Sequence, residues 1–231
     1  MKMTRRAFLV ASAAAAAGAA GAEKTTDGGF AEVVPPGVPR RKHPVLPPGA
    51  GSDALFARRC VGCQLCVKAC PNKVLRPSRG KNAPRPEMAF DKGWCRPECV
   101  KCGQVCPAGA IKRISPDEKK TVRAGHAEWN RSACIAAKET SPVNCTVCAR
   151  HCPQKAITLV PVDRDNPSGP KIPVVDDAKC TGCGACEHLC PARPKPAMVV
   201  QGYTAQHFAS RMPGDVRRPA ESPVWAGVGL V

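Results

Sequence analysis

Sixteen cysteines in four groups of four constrain this chain more than any other feature. The first group is Cys60, Cys63, Cys66 and Cys70, followed by Pro71. The second is Cys95, Cys99, Cys102 and Cys106, followed by Pro107. The third, Cys134, Cys145, Cys148 and Cys152 before Pro153, opens with a long gap. The fourth, Cys180, Cys183, Cys186 and Cys190 before Pro191, is regular again. Three cysteines at i, i+3 and i+6 can wrap one face of an iron–sulfur cube. The fourth, with the chain turned away by the proline after it, reaches the other cluster of a pair. Gly62, Gly182 and Gly184 beside these cysteines permit tight turns that bring amide N–H groups toward the sulfurs. One such run is compatible with zinc or chance. Four in register point to four [4Fe–4S] clusters, with all sixteen cysteines as ligands and none left over.

Rival uses of cysteine fit less well. Zinc favours paired knuckles with tetrahedral closure, and a third cysteine three residues on has no place in them. Disulfides suit an even count in an exported chain, but cysteines this dense would be ambiguous to pair. Attached c-type haem needs Cys-x2-Cys-His, and no pair here is followed by histidine: Ala149 follows Cys148, and His151 is out of register. His43, His126, His151, His188 and His207 are not needed as ligands and read as structural or surface residues.

Composition agrees with a scaffold held together by something other than a large apolar core. The 231 residues include 25 Pro and 20 Gly but five Phe, three Trp and one Tyr. A TIM barrel would need a longer, less punctuated chain, and a helical bundle would be broken by this much proline. Short β-type segments flank the groups: Ala110–Lys112, Ala156–Leu159 and Ala197–Val200 after them, and Ile172–Val175 before the fourth. The expected class is therefore α+β with little regular core, repeating strand, cysteine loop, short helix, strand. The formal net charge of +17 counts every cysteine as neutral. Sixteen thiolates on four clusters of about −2 each would lower it to about +9, and removal of a signal peptide to about +6. That surplus favours docking to acidic partners or a membrane surface. Nucleic acid is not expected, because the charges are scattered and the few aromatics form no stacking platform.

The chain divides into four regions. Residues 1–22 carry Thr4-Arg5-Arg6-Ala7-Phe8-Leu9, a twin-arginine signal pattern, then a weakly apolar Ala/Gly-rich stretch too short for a good membrane span. Cleavage is expected after Ala22. Twin-arginine export carries folded proteins, as a cofactor inserted in the cytoplasm requires, so the expected location is the periplasm, with membrane association if the signal stays on. Residues 23–52 are proline-rich and read as a semi-extended linker or surface strap, not a packed element. Residues 53–202 are the cluster-bearing domain, and 203–231 a tail.

With the pre-cluster segment Leu46-Pro47-Pro48-Gly49-Ala50, the twin-arginine pattern and the four cysteine groups, the chain resembles the NapG/MauM family of ferredoxin-type electron-transfer proteins. The same four-group layout occurs in iron–sulfur subunits of dimethyl sulfoxide reductase-type complexes. The resemblance implies two dicluster ferredoxin modules, with the first group pairing with the fourth and the second with the third. On that partition Cys60, Cys63 and Cys66 take Cys190, and Cys180, Cys183 and Cys186 take Cys70. Likewise Cys95, Cys99 and Cys102 take Cys152, and Cys134, Cys145 and Cys148 take Cys106. Pairing of sequence-adjacent groups is the alternative. Lys68, Lys101 and Lys179 stand beside ligands, where positive charge would favour a reduced cluster, although ordinary solvated lysines would also be found there. No phosphate loop, nucleophilic triad or spare cysteine is present, so an electron carrier is expected rather than an enzyme. Its expected partners are a membrane quinol-oxidising polyferredoxin or cytochrome and a periplasmic reductase or dehydrogenase. The alternatives are a subunit of a dimethyl sulfoxide reductase-type molybdoenzyme and a maturation factor for a periplasmic redox enzyme.

Overall fold

Prolines and cysteine loops interrupt the chain every few residues, and the elements between them are correspondingly short. The computed structural model describes residues 39, 41–78, 83–138, 143–162 and 166–208, with the backbone of Thr26–Asp27 and Ala31–Glu32. Those two dipeptides pair antiparallel as β1 and β2 within an N-terminal unit, Met1–Pro36. The twin-arginine segment, most of the proline-rich stretch and residues 209–231 lie outside the described residues. All four cysteine groups belong to the second unit, Gly37–Val231.

Six short helices are described in that second unit: α1 (Asp53–Arg59), α2 (Leu65–Ala69), α3 (Lys101–Gln104), α4 (Pro116–Thr121), α5 (Val147–Arg150) and α6 (Ala185–His188). None would persist alone, because nucleation costs more than a few hydrogen bonds return. Where packing does not hold them, caps do. Ser52 Oγ accepts from Leu55 N at 3.2 Å at the head of α1. Ser115 and Glu118 form a reciprocal capping box on α4, with Pro116 in the first turn. Each of α2, α3, α5 and α6 carries the third cysteine of its group, so the expected cysteine loop and short helix recur four times.

The strands pair in twos, all antiparallel: β3 (Leu75–Pro77) with β4 (Pro86–Met88), β6 (Ile157–Pro161) with β7 (Lys171–Val175), and β5 (Val122–Trp129) with β8 (Met198–Phe208). The β3–β4 hairpin lies between the first and second cysteine groups, and β6–β7 lies between the third and fourth. The mixed class matches the α+β expectation, and strands form over Ile157–Pro161, Lys171–Val175 and from Met198 onward. The expected strand at Ala110–Lys112 does not form. Ala110 and Ile111 are buried, but they face the Pro47–Ala50 turn, and Lys112 N donates to Gly49 O at 2.9 Å in place of a ladder.

Two boundaries also move. The end of the proline-rich stretch is a packed element: Val45, Leu46 and Ala50 are buried, Val45 completely, and Met88 N donates to Val45 O at 2.7 Å. A proline-rich segment has few N–H donors to satisfy, so it can cross a core with few hydrogen bonds. The strand β8 runs past Tyr203 to Phe208, with an irregularity opposite Arg123–Gly125. There Ala205 bridges to Ser52, and buried Gln206 stitches the strap in place. Its Oε1 accepts from Gly49 N at 2.9 Å, and its Nε2 donates to Pro47 O at 2.8 Å.

The core gathers Val45, Phe56, Val74, Met88, Ile111, Met198 and Val200 around buried cysteines including Cys66, Cys180 and Cys186. A smaller cluster holds Cys134, Ala136, Cys190, Ala192 and Ala197, and Trp129 packs against both. Among the described residues no helix is long and apolar enough to cross a membrane. Gly184, at φ +81°, shows how tightly a cysteine loop meets this core: a Cβ there would lie 2.0 Å from Phe90 Cδ1. Gly184→Ala is expected to cost about 1–3 kcal/mol through overpacking, measured as a lowered denaturant midpoint.

Candidate iron–sulfur centres

In the first and fourth cysteine loops the turn geometry is set by residues of positive φ. Gly62 (+68°), Gly182 (+69°) and Gly184 (+81°) adopt it as expected, and so does Gln64 (+62°), whose Nε2 donates to Gly62 O and Pro84 O. These turns bring three thiols of a group to one side, and the fourth comes from a neighbour. Cys66 has Cys60, Cys63 and Cys106 as the thiols that oppose its ionisation, and the same four line one cavity. Cys95 faces Cys99 and Cys70, and Cys70, Cys95, Cys99 and Cys102 line a second cavity. Cys183 faces Cys180 and Cys152, and Cys152, Cys180, Cys183 and Cys186 line a third cavity. Cys148 faces Cys145, Cys134 and Cys190; Cys134 and Cys190 are buried, with Cys145 packed beside them.

All sixteen candidate cysteines thus fall into four quartets, but not in the partition first expected. Cys106, not Cys190, joins Cys60, Cys63 and Cys66, while Cys70 joins Cys95, Cys99 and Cys102. Cys190, not Cys106, joins Cys134, Cys145 and Cys148, while Cys152 joins Cys180, Cys183 and Cys186. The pairing is between sequence-adjacent groups. The hairpin between the partners explains it: β3–β4 folds the second group back on the first, and β6–β7 the fourth on the third, each closing a short loop.

Electrostatics explain why such quartets call for a metal core. Burial, reinforced by neighbouring thiols, pushes the Cys66 and Cys148 thiols up to about 11, and those of Cys102 and Cys183 to about 12. Backbone N–H groups oppose the shift at Cys66 and Cys148. Four thiolates therefore coexist there only around positive charge, and a bound metal reverses the preference outright. Each of the three cavities brings four thiols to one lining. Among the described residues, no group of three or more His, Cys, Asp or Glu closes tightly enough to hold a single metal ion. A donor set of four thiols suits an iron–sulfur cluster. Amide donors reach the last sulfur of three groups: Ile111 N to Cys106 at 3.5 Å, Ala156 N to Cys152 at 3.3 Å and Ala197 N to Cys190 at 3.2 Å.

The quartets succeed one another in a row. Cys66 and Cys70, four residues apart at the ends of α2, link the first (Cys60, Cys63, Cys66, Cys106) to the second (Cys70, Cys95, Cys99, Cys102). Cys95 N donates to Cys183 O at 2.9 Å, so the second quartet meets the one holding Cys180, Cys183 and Cys186. Cys186 in turn faces Cys148 of the last.

Other side chains fall where spacing alone did not place them. Lys68, Lys101 and Lys179 are exposed, and Lys179 pairs with Asp176 at 3.0 Å. The lysine that reaches a thiol is Lys119, buried on α4, with Nζ 3.2 Å from Cys95 Sγ. It lies outside every cysteine motif, and its only sequence signal is the capping box that starts its helix. The histidines have structural contacts: His188 Nδ1 lies 2.8 Å from Phe90 O, and His126 stacks on Tyr203.

Comparison with known proteins matches this layout. Two family profiles, each of a 4Fe-4S dicluster domain, match the chain, one over residues 59–111 and the other over residues 143–193. Each match spans two sequence-adjacent cysteine groups, although displaced Cys134 lies outside the second. The chain is 32% identical over 178 residues to the methylamine utilization ferredoxin-type protein MauM of Methylobacillus flagellatus, covering 72% of this chain and 74% of that one. It is 35% identical over 181 residues to MauM of Paracoccus denitrificans (71% and 75%). With the ferredoxin-type protein NapG of Escherichia coli it shares 33% identity over 177 residues (70% and 74%).

Proposed function

The chain belongs to the MauM and NapG family of ferredoxin-type iron–sulfur electron-transfer proteins, and on that premise we propose that it relays electrons through four [4Fe–4S] clusters held by all sixteen cysteines. The observation that carries the reading is the unbroken row of four thiol quartets, with the Cys95–Cys183 backbone contact joining its halves. When bound, such clusters supply successive one-electron stations whose potentials depend on burial, hydrogen bonds to sulfur and nearby charge.

The chain's own residues do the rest. The cysteine sulfurs bind, and Ile111, Ala156 and Ala197 donate amide hydrogen bonds to the terminal cysteine of three groups. Apolar linings exclude water: Val74, Leu75 and Met88 in the second cavity, Phe56 and Ile111 in the first. Cys63, at one end of the row, is the exposed cysteine, which makes that end the natural approach for an external redox partner. The twin-arginine pattern supports export in the folded state to the periplasm, and the basic surplus supports docking to an acidic or membrane-bound partner. The relay is accordingly placed between a membrane quinol-oxidising partner and a periplasmic oxidoreductase.

Anaerobically purified protein is expected to contain about sixteen irons and as many acid-labile sulfides per chain, and to show several interacting reduced centres in a redox-titrated paramagnetic resonance spectrum. Far fewer irons, or zinc in their place, would overturn the reading.

A further inference from the structure

Neutral backbone amides donate to cysteine sulfur in all four quartets, and in one of them a charged side chain donates as well. Among the described residues, that charged donor is Lys119. Its Nζ donates to Cys95 Sγ at 3.2 Å, to Arg96 O at 2.6 Å and to Cys99 O. An ammonium has three N–H donors, and all three are used. The residue is 6% exposed, and no ion pair among the described residues reaches it. Two carbonyl dipoles only partly offset the cost of burying a full charge. The quartet itself brings negative charge within hydrogen-bond reach of this ammonium. The same ammonium favours ionisation of both Cys95 and Cys102.

We infer that Lys119 is a potential-setting residue, whose fixed positive charge makes the cluster on Cys70, Cys95, Cys99 and Cys102 easier to reduce than it would be with amide donors alone. The step is a one-electron gain from an external donor that adds one negative charge to the site, with no proton taken up and no bond made or broken. A buried cation favours the more negative state, and low local polarity leaves that attraction poorly screened. The exposed Lys68, Lys101 and Lys179 exert far less of this effect, because water screens them.

The inference rests on the four-cluster reading, and the test separates the two. Wild-type protein, Lys119→Met, Lys119→Gln, Lys119→Arg and the exposed control Lys179→Met are purified anaerobically as full chains, assayed for iron and titrated by paramagnetic resonance. Iron far below about sixteen per chain in the wild type would sink the underlying reading. With iron intact, Lys119→Met is expected to lower one midpoint and leave the other three in place. The ratio of reduced to oxidised forms of that one centre should fall about tenfold at a fixed poise. Lys119→Gln, which keeps donors but not charge, should match it, and Lys119→Arg should restore most of the shift. If Lys119→Met sheds iron, Lys119→Gln is read instead. Four unchanged midpoints, a Gln variant like the wild type, or an equal shift from Lys179→Met would each overturn the inference.

Discussion

Cys60→Ala and Cys106→Ala should each lose about one quarter of the bound iron, and the double variant should lose no more than either single one. Cys60→Ala combined with Cys190→Ala should lose about twice as much. The reason is the partition of thiols: Cys60 and Cys106 line one cavity with Cys63 and Cys66, whereas Cys190 stands with Cys134, Cys145 and Cys148. Two mutations in one site act on a shared target and cannot add, while mutations in separate sites do. Iron and acid-labile sulfide per chain, measured on anaerobically purified variants, decide the matter. A non-additive Cys60–Cys190 pair with an additive Cys60–Cys106 pair would restore the pairing of the first group with the fourth.

The second large effect is expected at a buried ion pair beside the fourth cysteine group. Glu187 lies on α6 between Cys186 and Cys190, with its carboxylate facing Arg41 of the strap. Both side chains are almost wholly buried, at 8% exposure for Arg41 and 3% for Glu187. Glu187 Oε2 accepts from Val200 N at 2.7 Å, Arg41 Nε donates to Val200 O at 2.9 Å, and the guanidinium lies over the Phe90 ring at 5.4 Å. Burial pushes the Glu187 carboxyl above its usual range, and Arg41 opposes that shift. Glu187→Ala leaves a guanidinium buried without its counterion and Val200 N without an acceptor. The expected cost is about 3–5 kcal/mol, read as a lower denaturant midpoint for loss of the far-ultraviolet circular dichroism of the anaerobic protein. Removing both charges as Arg41→Met with Glu187→Leu should cost less than Glu187→Ala, because no uncompensated charge remains buried. A double variant as unstable as Glu187→Ala would show that packing, not the stranded charge, dominates.

Legibility in the sequence differs by residue. The turn-forming role of Gly62, Gly182 and Gly184 can be read directly, because a glycine between ligands two or three residues apart has little to do except turn the chain. The absence of a strand at Ala110–Lys112 cannot, since an apolar pattern reports burial and not the shape of what covers it. The strap departs from its expected role for a related reason. Six prolines between Val33 and Gly51 signal an extended chain, and only the facing Met88, Gly202 and Gln206 show that it crosses the interior. Lys119 is one of 35 basic residues, and its neighbour Lys120 is exposed and paired with Asp117. Local pattern does not separate the two.

By itself the sequence determined the chemistry of the centres and the scale of the elements. Thiols three residues apart share a loop whatever surrounds them, and prolines with short apolar runs limit helices and strands to a few residues. Membership of the ferredoxin-type family followed from the same local features. Tertiary structure decided which group completes which quartet, the order of the quartets along the row and which lysine meets a sulfur. Those choices depend on the two hairpins that fold adjacent groups together, on the β5–β8 pairing, and on the strap that Gln206 and Glu187 hold across the core. Each of these contacts joins residues far apart in the chain, so its outcome is set by the competition among long-range packings and not by any spacing within a motif.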